Sequence, residues 1–146
     1  MTDVREAILA RLLVVCSEVE GILNAFRNKA SISENMQPAL AIYDADEEGY
    51  DDPKGRPTIA HRRVLMTPQI VVLHGAAASE VGTDVNVLRA RVIKAIMTDA
   101  ALAALTLDRE GVRYEGCTTE LAMGRQMNAS FGISISFTYM LKPADL

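Results

Sequence analysis

Two histidines, two cysteines and one dense run of carboxylates are the side chains of this sequence with the most chemistry to offer. His61 and His74 could move protons or ligate a metal, but neither has a cysteine or acidic residue at ligand spacing beside it. They read as ordinary surface or strand-end histidines. Cys16 and Cys117 are too few for a disulfide framework and read as buried free thiols of a reducing compartment. The run YDADEEGYDD, Asp44 to Asp52, has the clustered oxygens that hard cations want. It lacks the 1-3-5-12 ligand ladder of an EF-hand and its framing helices. A solvated loop is the first reading, and an electrostatic contact with a basic partner is the sharper alternative. KGRPTIAHRR could touch nucleic acid, yet no aromatics interleave its charges and no recognition helix flanks it. Its plainer reading is a strand-end cluster that balances the acidic loop. Walker, GxGxxG, HExxH, CxxC and GxSxG patterns are all missing, so the expectation is a protein that is not an enzyme and holds no metal or cofactor.

The elements that must carry these residues form one domain over 1–146, with 49% hydrophobic residues to build its core. With no Trp, three Phe and four Tyr, that core must be filled by Leu, Ile, Val, Ala and the seven Met. A net charge of −4 argues against a general polyanion binder. Asp3, Arg5, Glu6 and Arg11 interrupt the first apolar residues, and nowhere do about 18 apolar residues run together. The expectation is a soluble, intracellularly made protein.

Val4, Ile8, Leu12, Val15, Val19, Ile22 and Leu23 recur at three- and four-residue spacing, predicting an amphipathic helix from Asp3 to about Asn24, capped by Thr2 or Asp3. A polar connector from Phe26 to Gln37 follows, then a short strand over Ala39 to Asp44 and a long exposed loop. RVLMTPQIVVLH predicts a second strand with Val64, Met66, Ile70 and Val72 on one face, and with Pro68 marking a bulge or an edge. A second amphipathic helix is expected from about Asp84 to Thr98, N-capped by Thr83, with Arg89, Arg91 and Lys94 on its polar face. On a ring-shaped assembly that face could line a passage or meet a neighbour. Asp99 could open a further helical turn, and GVRYEGCTTEL reads as a third strand. The order α-β-β-α-β-β predicts an α+β fold: a four-stranded, mainly antiparallel sheet with two main helices on its apolar face.

The closing segment MNASFGISISFTYMLK alternates without a break and predicts one long strand. Ala129, Phe131, Ile133, Ile135, Phe137, Tyr139 and Leu141 form a core face; Ser130, Gly132, Ser134, Ser136, Thr138 and Met140 form a smooth, small one. Residues 129 to 141 would span about 40 Å, beyond an ordinary strand, so a neighbouring subunit is expected to cover part of it. Ser134 and Ser136 mark that candidate subunit-facing surface.

The helix REAILARLLVVCSEVEGILNAFRN, then PALAIYDADEE before a long loop, the helix VLRARVIKAIMTD leading into ALAALTLDREGVRYEG, and the final FGISISFTYML together resemble the tail terminator (tail-completion) proteins of long-tailed bacteriophages, prophages and gene transfer agents. The resemblance spans nearly the whole chain. It implies an α+β subunit that forms a homo-oligomeric, hexameric ring in the virion tail, caps the tail tube and stops addition of tube protein. It also implies a surface for the head–tail connector, transient contact with DNA passing through the ring, and no membrane and no catalysis. By position it makes Asp46, Glu47, Glu48, Asp51, Asp52 and Arg56, the pair Arg62 and Arg63, and Arg125 in the turn Gly124 to Met127 candidate contacts with tube or neighbour. Another head–tail joining protein is the alternative within the same machinery, and a small-molecule-binding regulatory α+β module is the alternative outside it.

Overall fold

The computed structural model describes residues 3–49, 61–76, 79–107, 111–122 and 127–146. Helix α1, Val4–Ser17, starts where the Asp3 carboxylate accepts a hydrogen bond from the Arg5 amide at 3.0 Å, the expected N-cap. It buries Ile8, Leu9, Leu12, Val15 and Cys16. The helix ends at Ser17 and not near Asn24, although Val19 and Ile22 are also buried. Successive i→i−3 backbone bonds, Glu18 to Val15, Val19 to Cys16 and Ile22 to Val19, keep these apolar residues on the core side after the α-helix has stopped. Gly21 turns the chain at φ 96°, and a Cβ there would meet Leu88 Cδ2 at 2.9 Å.

The expected connector is itself structured: β1, Asn24–Arg27, pairs in parallel with β2, Ala39–Tyr43, and a 3-10 turn spans Glu34–Met36. The acidic region carries β3, Glu47–Gly49, paired antiparallel to β4, Arg62–Met66. β5, Gln69–Ala76, lies between β2 and the closing strand β7, Met127–Leu141. α2 spans Val81–Met97 and α3 spans Ala100–Leu105, and β6, Val112–Ala122, pairs with β7. Glu80 stands at the N-cap of α2 without a side-chain bond, which places Thr83 inside the first turn. Asp99 does cap α3, accepting from the Leu102 amide at 2.9 Å.

Among the described residues the sheet is mixed and has seven strands, not four, and three α-helices accompany it. Local breaks account for most of the difference. Met66 pairs Phe137 and Gln69 pairs Ser134, so two residues intervene on each strand and the register against β7 runs unchanged across Thr67 and Pro68. Pro68 therefore brings no bulge against β7. It sits where the other edge passes from β2 to β3, between the pairs Tyr43 with Gln69 and Glu47 with Met66, a place where a missing N–H costs little. Val64, Met66, Ile70 and Val72 are buried together, as their spacing requires. With the inner faces of α1 and α2 and the odd-numbered face of β7, they form one core.

Candidate assembly surface

The two faces of β7 differ as the alternation predicts. Phe131, Ile133, Ile135, Phe137 and Tyr139 are essentially inaccessible on the core side. The outer face of the sheet, to which the even-numbered residues of β7 belong, is treated in three different ways. On β2, beyond β5, Ala39 and Ala41, which pair Leu73 and Val71 on that outer face, are fully buried. The segment after β1 ties in there: Tyr43 donates to the Lys29 carbonyl at 2.8 Å, and Asn24 donates to the Met36 carbonyl at 2.9 Å. At the far end, Ser136 is only 2% exposed and donates to Glu115 at 2.7 Å, while the Thr138 backbone bonds Leu107 and Gly111. Between them lies an open polar groove of about 260 Å³ bordered by Gln69, Val71, Thr118, Glu120, Ser130 and Ser134. Gly132 forms its floor, where a Cβ would stand 3.2 Å from Thr118 Oγ1.

The expected subunit-facing pair is thus divided. Ser134 is exposed in the groove, whereas Ser136 is covered by its own chain. The charged candidates are divided too. Glu47 pairs Met66, a core-side residue, and accepts a hydrogen bond from the buried Tyr139 hydroxyl. Burial first, and that carboxylate second, push the Tyr139 phenol well above its ordinary value. Glu48 and Arg63 are exposed, opposite Leu65 and Met140 on the outer face. Asp46 is also exposed, in the link between β2 and β3. Arg62 lies on the face of Val64 and Met66, half-buried, and its Nε is buried with no hydrogen-bond partner. Asp51, Asp52, Arg56 and Arg125 lie outside the described residues.

Three polar contacts between distant segments were invisible in sequence spacing. Arg27 holds Glu6 at 2.7 Å and Asp44 at 2.9 Å, tying α1, β1 and the end of β2. The guanidinium keeps both carboxyls below their ordinary range. Arg11 makes a two-pronged contact with Asp99 at 2.7 and 3.0 Å, which lowers the Asp99 carboxyl and pins α1 to α3. His74, expected at a surface or strand end, is half-buried with Nε2 3.1 Å from Asp84, ten residues away across the β5–α2 link. Its Nδ1 is buried and unpartnered.

Cys16 and Cys117 are free thiols, as expected, but only Cys16 is fully buried. Burial pushes the Cys16 thiol up to about 12. Among the described residues no group of three or more His, Cys, Asp or Glu could hold a metal ion. Among them no helix is long and apolar enough to cross a membrane.

No protein-family model matches the chain, and no curated protein matches it.

Proposed function

We propose that this chain is a structural subunit of the tail-terminator type. It assembles as a hexameric ring on the end of the tail tube of a long-tailed phage, stops tube polymerisation and offers the head–tail connector its docking surface. The observation that carries the reading is the open middle of the sheet's outer face. Ser130, Gly132 and Ser134 make a smooth strip there, with Glu48 and Arg63 exposed further along the same side. A sheet face of small residues with charges at its end suits stacking against another ordered protein layer, because packing needs shape match and registers through a few polar contacts. The action is steric: one surface fits the last tube ring and the opposite surface offers the tube protein no further place to add. DNA leaving the head would pass through the ring and touch it only transiently.

Negative-stain electron microscopy of the purified chain, alone and with tube protein, tests the assembly. Closed six-fold rings of tube diameter are expected in at least one of the two samples. Only small globular particles in both would count against the reading.

A further inference from the structure

The groove on the outer face is a grid of paired residues. Gln69, Ser134 and Gly116 stand in register across β5, β7 and β6, then Val71, Gly132 and Thr118, then Leu73, Ser130 and Glu120. Gly132 brings no side chain to the middle, which leaves a hollow of about 260 Å³. Every polar side chain around it can accept a hydrogen bond: the hydroxyls of Thr118, Ser130 and Ser134, the amide oxygen of Gln69 and the carboxylate of Glu120. None of the bordering residues is a lysine, arginine or histidine.

Glu120 is exposed, and among the described residues nothing bonds or pairs with its carboxylate. Arg113 shares this face of β6, opposite Ser136, but its ion pair is with Glu115 at 3.8 Å. One pair beyond Glu120 and Ser130, Asn128 stands opposite Ala122, and its Oδ1 is buried with no hydrogen-bond partner. The groove and its margin thus hold acceptors that lack donors.

The cost of covering such a surface decides what can cover it. An apolar side chain would strip water from Glu120 and the hydroxyls and return nothing, and a carboxylate left alone costs far more than an unpaired hydroxyl. A neutral donor would bond the oxygens and leave the charge uncompensated. A DNA backbone would set phosphates against Glu120, like charge against like. A lysine or arginine meets both needs, and an arginine fork can reach the carboxylate and a neighbouring hydroxyl together.

We infer that the groove seats a lysine or arginine side chain of the tube protein, paired with Glu120 and flanked by Thr118 and Ser130. The inference rests on the terminator reading, which puts an ordered protein layer on this face, and it adds the chemistry that layer must bring.

The test is co-sedimentation of the full-length chain with purified tubes of the same phage or prophage, with circular dichroism melts to show that each variant folds. Glu120→Gln keeps the shape and removes the charge. It should melt within about 2 °C of wild type and bind tubes about ten-fold more weakly, or worse. Glu120→Lys should abolish binding, and added salt should weaken wild type more than Glu120→Gln. Glu120→Gln that binds tubes as wild type does overturns the inference. So does Glu120→Leu that binds more tightly, the result an apolar cover would give. Rings of the chain alone that break up in Glu120→Gln also overturn it, because the cation then comes from a second copy of this chain. Each of these results leaves the terminator reading standing. Wild type that binds no tube refutes that reading, and the occupant falls with it.

Discussion

At the scale of residues, the two cysteines differ in burial and Arg27 gathers two carboxylates. Cys16, buried in α1, has its thiol raised to about 12, while Cys117 is partly open on β6. A maleimide at pH 7.5 should therefore label one thiol per native chain, at Cys117, and two only after unfolding. Labelling of Cys16 in the native protein would contradict the packing of α1. Arg27 acts on stability through its two carboxylates. Because Asp44 and Glu6 are held below their ordinary values, the stabilisation is present above the unfolded carboxylate pKa and lost as pH falls through the folded ones. Arg27→Met should lower the melting midpoint by roughly 1–3 °C at pH 7. The two melting curves should converge by about pH 2. A difference that persisted or grew in acid would mean that Arg27 acts through packing alone.

Strands and helices show which patterns were legible. The strict alternation of β7 and the shared parity of Val64, Met66, Ile70 and Val72 state their buried faces outright, because a sheet has a side-chain period of two. The acidic cap of α3 was equally readable at Asp99. β1 was hidden: NAFR is too short to alternate, and its parallel partner β2 begins a dozen residues later, so pairing across the connector decided its state. The end of α1 was hidden for a different reason, since 3-10-type turns keep Val19 and Ile22 at helical spacing after the helix has closed. Contacts such as His74 with Asp84 and Tyr139 with Glu47 depend on tertiary approach and leave no signal in spacing. The alternation also could not tell which part of the small face stays open. Ser134→Lys should leave the melting midpoint within about 2 °C of wild type and impair ring formation. Ser136→Lys, which forces an ammonium into a site only 2% exposed, should cost roughly 5 °C or more whatever the assembly state. Equal effects of the two substitutions would contradict the division of this face into open and covered parts.

For the whole molecule, the described residues form a core between the helices and one side of the mixed sheet, and the other side is covered on β2 and around Ser136 and open between them. The arrangement turns the length of β7 to use: one half carries the groove with β5 and β6, and the other half carries β4 with Tyr139 anchored to Glu47. The exposed groove leaves one stretch of the outer face open to a neighbour, as the proposed terminator role needs. If this chain ends tube growth, as proposed, tail length reports on it directly. Electron microscopy of lysates from the phage or prophage carrying a disrupted gene for this chain should show headless tails of irregular and excessive length. Tails of normal, uniform length that merely fail to join heads would contradict termination and point instead to a head–tail joining role.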